Sequence, residues 1–213
     1  MTFLCHIWNV ILLTIKSRDN GNRVTPLSFK AHRVFKNFFQ TKKFSDLLTY
    51  KLKGVKLMNM NYEVVRIEEK TVVGIMVRTT NNNGQAMSDI GKVWGEFMQG
   101  DAYVSIANKL NAKSIGLYTD YEGDFTKPYN FLACCEVSKV QEVPENMVMK
   151  TIPAGTYARF VINGHVQKAV GEFWSNLWKM KLDRKYTSDF EEYQNNSGDM
   201  ENQEIHIYIA VNE

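Results

Sequence analysis

The constraint that most limits this chain's fold is an internal duplication. Lys92-Val93-Trp94-Gly95-Glu96-Phe97 recurs as Lys168-Ala169-Val170-Gly171-Glu172-Phe173, 76 positions later. At nearly the same offset Ile115-Gly116-Leu117-Tyr118 aligns with Phe190-Glu191-Glu192-Tyr193, and Gly123-Asp124 with Gly198-Asp199. Two copies of one unit pack most simply about a pseudo-twofold axis, and the crevice along that axis is a natural pocket. Function is then expected where the copies differ, and Gly116 against Glu191 is such a difference.

Hydrophobic period assigns the same elements to each unit. Tyr62–Ile67 and Thr71–Val77 read as strands, with Ser88 or Asp89 as N-cap of a helix carrying Ile90, Val93, Trp94 and Phe97. Tyr103, Ile106 and Leu110 suggest a further helical piece, and Ser114–Asp120 and Tyr129–Val137 are strands. The second unit has strands at Met147–Ile152 and Thr156–Val161, then an amphipathic helix through Phe173, Trp174 and Trp178. Strands Tyr186–Tyr193 and Glu204–Val211 complete it. The expected fold is α+β: duplicated β-β-α-β-β units forming an eight-stranded, largely antiparallel concave sheet, with two main helices on one face and a central groove.

Charge separates this region, about residues 60–213, from what precedes it. Residues 1–57 carry eleven Lys/Arg against two acids, a net of +9, whereas the remainder has a net of −6. An acidic duplicated region disfavours nucleic acid and favours neutral or cationic partners. The apolar run Phe3–Ile15 falls short of the roughly twenty residues that cross a bilayer. It also lacks the charge and cleavage pattern of a signal peptide. Residues 1–59 therefore read as a basic leader, poorly ordered or non-native. In the second case translation starts at Met58 or Met60, behind a purine-rich stretch that can encode Lys53-Gly54-Val55. Three cysteines without a framework suit a reducing cytoplasm, Cys134-Cys135 reads as packing, and no Cys/His spacing suggests a metal.

Alternation in the last strand puts Ile205, Ile207, Ile209 and Val211 on one face and Glu204, His206, Tyr208 and Ala210 on the other. The aliphatic face should meet the helices, leaving the mixed face to line the open groove, with Phe131, Ala133 and Cys135 at the matching positions of the first unit. Glu191 and Tyr193 face that groove if Phe190 takes the helix side.

Thr151-Ile152-Pro153-Ala154-Gly155-Thr156-Tyr157-Ala158, Phe190-Glu191-Glu192-Tyr193 and Glu204-Ile205-His206-Ile207-Tyr208-Ile209 resemble the gyrase-inhibitor-like effector-binding family. That family includes the ligand-binding halves of AraC-type and MerR-type multidrug regulators and standalone bacterial members, which this chain resembles more. The resemblance implies a groove glutamate at Glu191 that meets cationic or polar amphipathic ligands. It also carries over tyrosines at Tyr157 and Tyr208. Ala210 stands where the family usually has proline, a departure that concerns strand termination.

Around Glu191 the other candidate ligand contacts are Tyr118, Phe131, His206, Trp94, Trp174 and Trp178, with core packing the plain reading of the three tryptophans. A carboxylate among aromatics pays desolvation unless a cation or donor compensates it, and ring faces add roughly 0.5–2 kcal/mol of cation–π attraction. The expected function is cytoplasmic binding or sensing of small amphipathic, cationic or aromatic molecules. It requires no cofactor, no metal, no direct nucleic-acid contact and no membrane. Two rivals remain: a hydrolase of strained electrophilic toxins using the groove glutamate, and a gyrase-inhibitor-like module with a protein partner. Binding is favoured over catalysis because no nucleophile–base pair is visible.

Overall fold

The computed structural model describes residues 60–194 and 199–213. The basic leader and Gly198 of the second repeat lie outside the described residues. Strands β1 (Glu63–Ile67) and β2 (Lys70–Thr79) lead through a 3₁₀ turn (Asn82–Gly84) into helix α1 (Gln85–Gln99). The short helix α2 (Ala102–Ser105) and strands β3 (Ile115–Thr119) and β4 (Tyr129–Glu136) finish the first unit. The second unit comprises β5 (Val148–Ile152), β6 (Gly155–Gly164), α3 (Val166–Leu177), β7 (Ser188–Tyr193) and β8 (Gln203–Ala210).

These strands form one eight-stranded antiparallel sheet, ordered β1-β6-β8-β7-β3-β4-β2-β5 and curled into a half-barrel. Exchanging β1–β4 with β5–β8 and reversing the order reproduces it, so the pseudo-twofold axis passes between β3 and β7. The opening strand of each unit crosses over: β1 pairs with β6, and β5 with β2. That exchange interlocks the copies through backbone hydrogen bonds at both sheet edges.

Helix α1 starts at Gln85, earlier than the Ser88/Asp89 cap implied. Gly84 in the left-handed region (φ 72°) turns the chain, and Ala86 N–H bonds back to the Thr80 carbonyl at 3.0 Å. Asp89 instead accepts from the Thr79 hydroxyl at 2.8 Å and the Gln85 amide at 3.1 Å. The helical piece expected through Leu110 ends at Ser105, because the Leu110 N–H is taken by the Glu136 carbonyl.

Helix α1 packs on β2 and β4 through Ala86, Val93 and Phe97, and α3 on β6 through Phe173, Trp174 and Leu177. Ile205, Ile207 and Ile209 are buried with them, as the aliphatic face of β8 suggested. Phe131, Ala133 and Cys135 belong to the same helix-side cluster, so they do not share a face with Tyr208 as expected. The opposite face has its own buried cluster, including Leu117, Leu132, Tyr157 and Phe190, with Tyr208 packed against it.

Candidate functional site

Glu191 lies on the helix side of the sheet, and register is the reason. In the antiparallel β7–β8 pair it stands opposite Ile207, so it takes the face of the aliphatic residues, while Phe190 stands opposite Tyr208. Phe190 therefore does not take the helix side: it stacks on Tyr208 at 4.4 Å and 10° on the other face. Across β3, Glu191 is paired with Gly116.

The Glu191 carboxylate is almost wholly buried, at 1% exposure. Its Oε1 accepts from the Tyr118 hydroxyl at 2.7 Å and the Trp174 indole N–H at 2.6 Å. Its Oε2 accepts from the Tyr193 hydroxyl at 2.7 Å. Tyr118 and Tyr193 are counterparts in the repeat, so two pseudo-symmetric phenols grip one asymmetric carboxylate. Burial pushes the Glu191 carboxyl above its ordinary range, and the three hydrogen bonds only partly offset this. Burial beside Glu191 holds both phenols far above their usual values, so they stay donors. Among the described residues no Lys, Arg or His forms an ion pair with Glu191.

Asp189, two residues earlier on the same face, has the opposite arrangement. It is fully buried, and its Oδ2 accepts from Arg184 at 2.6 Å and from the Tyr121 hydroxyl at 2.9 Å. Its Oδ1 takes the Ala210 N–H at 2.9 Å. The strand face thus holds two buried carboxylates, one with its own cation and one without. Sequence reading missed Asp189 and Arg184. Period-2 alternation from Glu191 would have found the former, whereas Arg184 precedes the strand and carries no periodic signal.

Aromatic rings wall the site. Trp174 lies 4.7 Å from Tyr118, and Tyr118 is 5.0 Å from Phe131. Half-buried Trp94, from α1, meets Tyr193 edge-on at 5.3 Å and Phe131 at 6.2 Å. Gly116 makes room for this indole: a Cβ there would lie 3.2 Å from Trp94 Cζ2 and 3.3 Å from Glu191 Oε2. Helices α1 and α3 cover the two flanks of the sheet, so these side chains, rather than helix backbone, roof the central pair β3–β7.

Five of the sequence candidates therefore converge: Glu191, Tyr118, Phe131, Trp94 and Trp174. Trp178 sits at the end of α3, 39% exposed, and stacks on Phe125 at 5.6 Å. Tyr157, Tyr208 and His206 are on the opposite face, contrary to the shared-groove expectation. There Tyr157 donates to the Pro153 carbonyl at 2.9 Å, and His206 lies 2.8 Å from Glu204. Among the described residues no His/Cys/Asp/Glu cluster could hold a metal ion, and no helix is long and apolar enough to cross a membrane.

An interlocked two-unit sheet with a buried acid on its axis can be compared with known proteins. Residues 63–211 match the family described as integron-associated effector binding protein, Cass2. The chain belongs to that family. A solved Cass2 relative, the integron cassette protein VCH_CASS2 of Vibrio cholerae, is 30% identical with a TM-score of 0.58. The match covers 71% of this chain and 95% of that one. The Bacillus subtilis (strain 168) protein YobU, whose name proposes a transcriptional regulator, is 28% identical over 160 residues, 70% of this chain and 96% of its own. The Cass2 fold also extends to SAV2435, solved bound to tetraphenylphosphonium, at 20% identity and a TM-score of 0.60 over 72% of this chain and 94% of that one. The chain is thus a Cass2-family effector-binding protein of gyrase-inhibitor-like fold.

Proposed function

We propose that this Cass2 protein binds lipophilic aromatic cations, with Glu191 as the counter-charge and Trp94, Trp174, Tyr118, Tyr193 and Phe131 as walls. One observation carries the reading: Glu191 is buried against three neutral donors, while neighbouring Asp189 has Arg184. A buried carboxylate without a cation is costly, and a ligand bringing positive charge recovers that cost. Aromatic faces complement such a ligand through the ring quadrupole. SAV2435, bound to tetraphenylphosphonium, is a fold relative that takes a ligand of this class. Half-buried Trp94 forms no indole hydrogen bond among the described residues, and it is the wall that yields as ligand enters.

The test is a tryptophan-fluorescence titration with tetraphenylphosphonium on the wild type and on Glu191→Gln. The isosteric amide keeps the volume and removes the charge. Affinity should fall about tenfold or more, equivalent to about 1.4 kcal/mol or above. Equal affinity in the variant, or equally tight binding of neutral tetraphenylmethane, would remove Glu191 from recognition.

A further inference from the structure

Glu191 is not the only buried ion on this face. Among the described residues the buried charged side chains are Arg184, Asp189, Glu191 and Glu192, and Glu192 points to the opposite face. The helix side therefore holds two carboxylates and one guanidinium, a net single negative charge. Residues i and i+2 of a strand sit on the same face about 6.6 Å apart, so Asp189 and Glu191 are near neighbours. Both acids come from the second unit, where the first has Ser114 and Gly116. With no cation between them, this stretch of strand would present two adjacent buried negative charges.

Arg184 prevents that. Its side chain is 4% exposed, and it pairs with Asp189 at 2.6 Å. Its guanidinium lies 4.3 Å from the Tyr186 ring and 5.8 Å from the Trp174 ring, the ring whose N–H holds Glu191. Arg184 Nε is buried with no hydrogen-bond partner, so the residue pays desolvation to be there. Trp174 thus links the two acids: its N–H bonds Glu191, and its ring faces the guanidinium that pairs with Asp189.

On the reading that the Glu191 site binds organic cations, we infer that Arg184 sets its charge selectivity. By cancelling Asp189 it leaves Glu191 as the sole unbalanced buried charge on this face among the described residues, so the site prefers singly over doubly charged ligands. Arg184 acts through Asp189 and the Trp174 ring rather than by touching ligand.

A matched pair of rigid probes reads this directly: N-methyl-4-phenylpyridinium carries one positive charge, and N,N′-dimethyl-4,4′-bipyridinium carries two in nearly the same shape. The wild type should favour the monocation. Arg184→Met should move the dication-to-monocation affinity ratio about tenfold towards the dication, since a second carboxylate is uncovered. Asp189→Asn should move it the other way, because Arg184 is left unbalanced. The double variant R184M/D189N restores the net charge and should return the ratio to about the wild-type value. A ratio unmoved in folded single variants, or not restored in the double, overturns the inference. If Arg184→Met fails to fold, Asp189→Asn and the double variant still decide it. Failure of the underlying reading looks different: the wild type would then bind neither probe, or Glu191→Gln would bind the monocation unchanged.

Discussion

Gly116 and Glu191 are partners twice over: the repeat aligns them as counterparts, and strands β3 and β7 pair them across the pseudo-twofold axis. The place in the β3–β7 pair where a residue faces its own duplicate thus sets a glycine against a buried glutamate. Glycine on one side leaves the space that the glutamate and the Trp94 indole share. Gly116→Ala tests this. An extra methyl in a strand usually stabilises by about 0.4–1 kcal/mol through the unfolded chain. Here it would press on Trp94, Glu191 and Phe131 at 3.2–3.3 Å. Net destabilisation of about 1 kcal/mol is expected in urea unfolding, with a shifted tryptophan emission as Trp94 gives way. A more stable variant with unchanged emission would show that the slot is not tight.

Trp174 holds Glu191 through one N–H at 2.6 Å, and removing that donor leaves a buried charge less satisfied. Trp174→Phe should cost about 1–3 kcal/mol beyond lost packing at pH 8. Packing loss and donor loss separate in a double-mutant cycle with Glu191→Gln. A coupling of about 1 kcal/mol or more at pH 8, shrinking as Glu191 is protonated, supports the charge-assisted bond. Zero coupling would make Trp174 a wall only.

The duplication and the hydrophobic periods made the architecture legible: two β-β-α-β-β units, eight strands, and the aliphatic side of β8 under the helices. The face of β7 was not legible. Alternation orders residues within a strand, but which side they share with the next strand depends on register, and Glu191 pairs with Ile207 rather than Tyr208. That one-residue phase separates Tyr157, Tyr208 and His206 from Glu191 and brings Trp174 to it instead. The β1/β5 exchange was hidden for a related reason, since edge pairing is settled between distant segments and leaves no local pattern.

Glu191 and Glu192 are adjacent, point to opposite faces of the sheet, and should respond oppositely to pH. Burial raises the Glu191 carboxyl above its unfolded value. Its contribution is therefore fully present below about pH 4.5 and is lost as pH rises through the folded value. For Glu192 burial works the same way, but it is outweighed by hydrogen bonds from Gln194 and Lys113 and by the charges of Lys113 and Lys70. Its folded value is lowered, so its contribution is present above about pH 4.5 and lost as pH falls through the folded value. Glu191→Gln should thus match the wild type near pH 4 and become the more stable protein towards pH 8. Glu192→Gln should be the less stable protein at pH 8, with the deficit closing in acid. Taking each variant against the wild type cancels the titration of groups that do not interact with the replaced glutamate. Urea midpoints at four or five pH values are enough, and two difference curves of the same sign would refute the assignment of these neighbours to unlike surroundings.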